Sequence, residues 1–154
     1  MRISRKTDYA LRALVALARL EPGQTLSLRH IARTCDMPAN FLQQIMLDLR
    51  AKGWVNGHPG RDGGYELAVP PDSLSIGEVV RHFDGVLAPI GCVSITHYEP
   101  CSQEPVCVFR RLFLDVRNHT ARLLEATSLE DLVKQKPVEN REVFLSEFSE
   151  GAGI

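Results

Sequence analysis

The chain has four cysteines, and three of them, Cys92, Cys101 and Cys107, lie close together. Cys92 and Cys101 stand in a segment with three prolines, residues 85–106, and Cys107 follows it directly. Deprotonated thiols are soft ligands that stabilise iron, so three of them in one loop suit an iron–sulfur cluster. The same thiols could instead form a redox switch or have a purely structural role. We expect the fourth cysteine, Cys35, to be a small buried apolar residue.

A second group of residues has the chemistry to read DNA bases. Periodicity predicts a helix over residues 38–52, whose buried side consists of Phe41, Leu42, Ile45, Met46 and Leu49. Ala39, Asn40, Gln43 and Gln44 fall on the opposite side, at the start of the helix. Asn and Gln amides can form paired hydrogen bonds with adenine in the major groove. This face is a candidate DNA contact, although such residues also occur on ordinary solvent-exposed helices.

A glycine-rich turn, residues 59–64, follows this helix and is flanked by strand-like residues 54–58 and 65–69. Two short strands around such a turn predict a β-hairpin. The hairpin carries His58 in its first strand and Arg61 at its tip. These cations could contact phosphate or enter a minor groove, so both are candidate DNA contacts.

The elements that position these residues are predicted from apolar spacing. Helices are expected over residues 7–20 and 28–34, before the helix at 38–52. Three short helices and a hairpin, in that order, predict a winged helix-turn-helix. In this fold the second helix braces the third, and the third enters the major groove. The expected fold class is therefore mainly α, with a small β-hairpin wing.

The C-terminal half predicts a long helix over residues 107–126, preceded by a shorter helix that a Ser75–Glu78 capping box opens. The apolar positions of the long helix recur at a spacing of three and four residues and form a seam along it. One small domain has little left to cover this seam. We therefore expect a homodimer. The seam consists of Phe109, Leu112, Phe113, Val116, Thr120, Leu123 and Leu124.

The expected organisation has four parts. Residues 1–84 form the DNA-binding domain and residues 85–106 form a cysteine-containing sensing loop. Residues 107–135 form the dimerisation helix region, and residues 136–154 form a flexible tail.

Charge is distributed unevenly although the net charge is only −1. Residues 1–66 carry 10 Lys and Arg against 6 Asp and Glu, while the remaining residues are acidic. A basic N-terminal half is typical of a nucleic-acid-binding module.

No run of ~18 apolar residues and no signal peptide is visible, so we expect a soluble cytoplasmic protein without membrane contact. No P-loop, HExxH or nucleophile-elbow motif is present, so we expect no enzyme.

Taken together, the motifs resemble the Rrf2 family of winged-helix transcription regulators, which includes IscR, NsrR and CymR. The likeness covers residues 1–134. It rests on KTDYALRAL (6–14), FLQQI and LRAKG (41–45 and 49–53), GGY (63–65), SIGEVV (75–80) and TSLEDL (127–132). The wing departs from the family, since an Arg is common near the position of Pro59, and here Arg61 comes later. The resemblance implies a homodimer that binds a palindromic operator in double-stranded DNA.

The resemblance also implies a ligand set for a cluster of the 2Fe–2S or 4Fe–4S type. Cys101 and Cys107 match the second and third cysteines of the cluster-binding members. Cys92 stands at the position of the first, but the eight residues between it and Cys101 form a longer gap than several of those members have. A His used by some members is replaced by Arg110. The branch that senses nitric oxide uses an Asp of the other subunit, at the position of Asp8.

The fourth ligand stays open among Asp8, His97 and solvent, because Asp8 could simply pair with Arg12. We thus expect a DNA-binding regulator that senses redox state, nitric oxide or iron through a cluster. The alternative is the same regulator without a cluster, responding to a thiol signal, a metabolite or a protein partner.

Overall fold

A computed structural model describes residues 2–60 and 63–144 of the chain. It is mainly helical with one antiparallel hairpin, which confirms the expected fold class. The helices and strands are α1 (Arg5–Ala18), α2 (Leu28–Thr34), α3 (Ala39–Ala51), β1 (Val55–His58), β2 (Gly64–Leu67), α4 (Ile76–Asp84), α5 (Arg110–Ala126), α6 (Leu129–Lys134) and α7 (Asn140–Phe144).

Serine side chains set the starts of four helices. Ser4 accepts a hydrogen bond from the Thr7 N–H at the start of α1, and Ser27 caps α2 in the same way. The predicted capping box is confirmed at α4, where Ser75 and Glu78 cap each other's backbone N–H groups. Ser128 begins α6 with a second box. Each such cap stabilises its helix by about 1 kcal/mol.

The hydrophobic core joins α1, α2 and α3 and extends to α4 and α6. One prediction for α3 was wrong, because Phe41 is 41% exposed instead of buried. It lies beside the buried stripe of α3, and its ring packs edge-on against Tyr9 of α1 at a centroid distance of 5.7 Å. The buried stripe of α3 consists of Leu42, Ile45, Met46 and Leu49.

The N-terminus of α1 is fixed by the last residue of α4. Asp84 Oδ2 accepts hydrogen bonds from the Ser4 N–H and from the Thr7 hydroxyl, both at 2.8 Å. Thr7 is fully buried, so this carboxylate satisfies a polar group that water cannot reach. Burial raises the pKa of Asp84, but the hydrogen bonds from Ser4 and Thr7 outweigh it and the net pKa is lowered.

The wing is a two-stranded hairpin that a third segment supports. β1 and β2 pair from Val55–Leu67 to His58–Gly64. Leu26, just before α2, exchanges two backbone hydrogen bonds with Tyr65, at 2.9 and 2.8 Å. Gly64 is needed here, because a Cβ on it would lie 2.6 Å from the Leu26 carbonyl oxygen. Gly64 therefore allows the wing to pack against the segment before α2.

The long helix α5 packs against α4, yet none of its residues is buried. It begins at Arg110, three residues later than predicted, so Cys107 and Phe109 precede it. The predicted seam is largely open to solvent, with Phe109, Leu112, Val116 and Leu123 all exposed. In the single chain, α5 therefore presents an apolar surface to solvent.

The short helix α6 packs into the core that α1 to α4 form, which the sequence did not predict. Leu129 is fully buried in that core. Its N–H donates to the Leu74 carbonyl at 2.8 Å, and the Ile76 N–H donates to the Thr127 carbonyl at 2.8 Å. The predicted tail contains α7, and residues 145–154 lie outside the described residues.

Candidate DNA interface and cysteine loop

The start of α3 presents polar side chains to solvent. Ala39 and the amide side chains of Asn40, Gln43 and Gln44, together called the amide face here, are all exposed, as the helical spacing predicted. The N-cap of α3 is Pro38, which contributes no side-chain hydrogen bond. The positive end of the helix dipole is therefore available to an anion such as a DNA phosphate.

Asp48 lies on the flank of the same helix, and its charge is neutralised. Lys6 Nζ lies 2.7 Å from Asp48 Oδ2, and Gln44 Nε2 donates to Oδ1 at 3.5 Å. The hydrogen bond with Lys6 lowers the pKa of Asp48. α3 can thus approach a phosphate backbone without an uncompensated carboxylate.

The described part of the wing contains one of its two predicted DNA-contacting residues. His58 Nε2 lies 2.7 Å from Glu66 Oε1 on the facing strand, and its side chain is about half exposed. Glu66 therefore competes with DNA for this imidazole. Arg61, the other predicted contact of the wing, lies outside the described residues.

Two of the three loop cysteines line one cavity. Cys92 and Cys107 border a cavity of about 410 Å³, together with Arg110 and Arg117. Cys101 is exposed and is absent from the cavity wall. In residues 2–60 and 63–144, no three His, Cys, Asp or Glu side chains converge as a metal site. The donor type fits an iron–sulfur cluster, and Cys101 would have to move toward the cavity to join it.

A hydrogen-bond network holds the loop around this cavity, and the sequence did not reveal it. Arg110 donates to the Cys92 carbonyl at 2.9 Å and forms an ion pair with Glu104 at 3.0 Å. Glu104 also accepts from the Tyr98 hydroxyl at 2.7 Å and from the Cys101 N–H at 3.1 Å. These hydrogen bonds lower the pKa of Glu104 and raise that of Tyr98.

Asp8 forms a two-point contact with Arg12. This is the ion pair that the sequence predicts as the alternative to a ligand role for Asp8. Arg12 Nη2 lies 2.9 Å from Asp8 Oδ2, and Nε donates to Oδ1 at 3.1 Å. Arg12 also donates to the Cys35 carbonyl at 3.3 Å, at the end of α2. Cys35 is half-buried, less than predicted, and burial raises the pKa of its thiol. Asp8 is thereby connected to the bend of the helix-turn-helix.

His97, the rival fourth ligand, is exposed. Its Nδ1 lies 3.2 Å from the Thr96 hydroxyl. It borders a neighbouring cavity with Gly91 and Glu99, separate from the one that Cys92 and Cys107 line.

No helix in the described part of the chain is long and apolar enough to cross a membrane.

Comparisons with known proteins agree with this architecture. Residues 3–135 match the Rrf2 family, described as iron-dependent transcriptional regulators. An rrf2-like HTH-type transcriptional regulator of Rhodobacter capsulatus is 39% identical over 85% of this chain and 91% of its own length. NsrR of Bacillus subtilis is 32% identical over 88% of this chain and 92% of its own length. The solved structure of CymR, the global cysteine regulator of B. subtilis, has a TM-score of 0.75 at 29% identity, covering 89% and 99% of the two chains.

Proposed function

Because this chain belongs to the Rrf2 family of transcriptional regulators, we propose that it acts as a homodimer that binds a palindromic DNA site through α3 and the wing. The observation that carries the proposal is the exposed amide face on the third helix of a winged helix-turn-helix. Asn40, Gln43 and Gln44 offer amides that suit adenine. The open N-terminus of α3 offers a site for phosphate.

The exposed seam of α5 supports the dimer. If two copies pair along this seam about a two-fold axis, each dimer presents two copies of α3. Half-sites about one helical turn apart, ~34 Å, would then match the symmetry of the protein.

Selection from random double-stranded DNA tests this part. We expect the protein to enrich an inverted repeat. Asn40→Ala or Gln43→Ala should each cost roughly 1–3 kcal/mol on the selected site and relax preference at one base pair per half-site. Ser73→Ala, on the turn before α4, is the matched polar control. Failure to enrich any duplex, or unchanged affinity in both amide variants, contradicts the proposal.

The regulatory signal enters, in our proposal, at the cysteine loop. Cys92, Cys101 and Cys107 would hold an iron–sulfur cluster, with Asp8 of the partner subunit as the fourth ligand. The three thiols are the soft donors that such a group requires, and the family's iron-dependent description supports the assignment. When bound, the cluster would supply a centre that is sensitive to nitric oxide, oxygen and iron supply.

The described contacts indicate how this chain's own residues would transmit the change. Glu104 and Arg110 hold the backbone of the loop beside Cys92 and Cys101. Asp8, when it is not a ligand, pairs with Arg12, which reaches the Cys35 carbonyl at the helix-turn-helix bend. A carboxylate is a harder ligand than a thiolate, so its bond should be the labile one. Coupling on the order of 1–3 kcal/mol between this exchange and DNA binding is sufficient for regulation.

The cysteine set offers a matched control within the chain. We expect anaerobically purified protein to be coloured and to contain iron. Cys101→Ala and Cys107→Ala should each lose both properties, whereas Cys35→Ala, outside the loop, should retain them. Asp8→Ala should retain iron with a shifted spectrum. Wild-type iron content in both loop variants would refute the cluster. If Asp8→Ala alone leaves the spectrum unchanged, His97 or solvent would be the fourth ligand instead.

One observation favours the second candidate, a regulator that responds through thiols alone. Cys92 and Cys107 line the same cavity, whereas Cys101 is outside it. A colourless, iron-free protein that still binds DNA, and whose affinity changes on oxidation only when both Cys92 and Cys107 are present, would select this candidate. Dependence on Cys101 as well would speak against it.

A further inference from the structure

One residue beside the amide face is apolar. Leu47 of α3 is 48% exposed, on a helix whose other leucines, Leu42 and Leu49, are fully buried. It lies three residues after Gln44 and seven after Asn40, so the three side chains follow one stripe along the helix. Phe41, the other large apolar side chain of α3 that is exposed, differs because its ring packs against Tyr9.

We propose that Leu47 reads the C5-methyl group of a thymine in the major groove. The inference rests on the proposed DNA-binding function and extends it to base preference. Thymine methyl is the apolar group that base pairs present in this groove, and apolar side chains are its natural contacts. Asp48, beside Leu47, is neutralised by Lys6 and does not hold DNA away.

The geometry of the helix places this thymine. Side chains three residues apart on a helix have Cβ atoms about 5–6 Å apart. Successive base pairs rise by about 3.4 Å, so this distance corresponds to one or two base-pair steps. The thymine that Leu47 contacts therefore lies one or two base pairs from the base pair that Gln44 reads. With adenine suited to the amides, this part of the half-site should consist of A·T pairs.

Replacing single thymines by deoxyuridine tests the inference, because this change removes only the methyl group. The duplex is the one that wild-type protein selects, and affinity is measured by fluorescence anisotropy. One thymine per half-site should be sensitive, with a loss of about fourfold per half-site, the effect of leaving roughly one apolar carbon unburied. The same replacement should have no effect on Leu47→Ala. Leu47→Met, which keeps an apolar side chain of similar volume, should restore the sensitivity.

Val138→Ala, at an exposed aliphatic residue outside α3, is the matched control and should behave like wild type. The inference is overturned if no thymine is sensitive, or if Leu47→Ala keeps the wild-type loss. Unchanged deoxyuridine binding together with a selected operator would mean that Leu47 faces a protein or solvent, while the proposed function stands. Failure to select any duplex would instead remove the proposed function, and this inference with it.

Discussion

Leu112 on the seam of α5 provides a quantitative test of the dimer. The side chain is 60% exposed in the single chain. Burying a whole leucine contributes roughly 1.5–3 kcal/mol, so covering the remaining three-fifths contributes about 1–2 kcal/mol. A two-fold interface buries the residue twice, so Leu112→Ala should cost the dimer about 2–4 kcal/mol. That corresponds to an increase of about 30- to 1,000-fold in the dimer Kd.

Sedimentation velocity over a dilution series measures this Kd, and DNA affinity should decline at the concentrations where the dimer dissociates. The variant should fold normally, because alanine is a better helix former than leucine and Leu112 is outside the core. Val138→Ala, which is 67% exposed and outside α5, is the control for the loss of an exposed aliphatic side chain. A dimer Kd unchanged by Leu112→Ala, or a wild-type protein that is monomeric at micromolar concentration, would refute the reasoning.

Two further predictions concern polar contacts that tie distant segments together. Asp84→Ala should lower the free energy of unfolding by about 1–3 kcal/mol, because the buried Thr7 hydroxyl loses its acceptor. The native contacts lower the Asp84 pKa, so their contribution is present above the ordinary value of 3.8 and is lost as pH falls through the folded value. Denaturant titrations of both proteins at several pH values would show the difference shrinking in acid, and a constant difference would contradict the prediction. Glu104→Gln should lower the pKa of Tyr98 toward its usual value, because the charged acceptor that raises it is gone. Titration of phenolate absorbance, with Tyr98→Phe to identify the contribution of that ring, measures the change, and an unshifted titration would argue against the network.

The order of helices, hairpin and long helix was predictable because it depends on local information. Apolar spacing, serine caps and the glycine-rich turn act over a few residues, and each is visible in the sequence. The exposed amide face of α3 followed from the same periodicity, since a side chain's direction on a helix is fixed by its position. The boundaries differed by up to three residues, notably at the start of α5, where the N-cap residue Phe109 forms no side-chain cap that would mark the beginning of the helix.

Contacts between distant segments could not be predicted in this way. Leu129 joins the core of α1 to α4 although it lies beyond the long helix, because backbone hydrogen bonds attach the start of α6 to the start of α4. The edge-on packing of Phe41 against Tyr9 likewise depends on how α1 and α3 cross. Neither contact has a signature in the residue pattern.

The sequence by itself determined that two thiols lie within a proline-rich loop and a third directly follows it, and that an aspartate stands at the start of the first helix. Only the tertiary structure decided which of these groups meet within one chain. Cys92 and Cys107 share a cavity, Glu104 and Arg110 hold the loop beside it, and Asp8 pairs with Arg12. The physical reason is that an irregular loop has no repeat from which side-chain directions follow, so its arrangement depends on long-range hydrogen bonds and ion pairs that only the folded chain brings together.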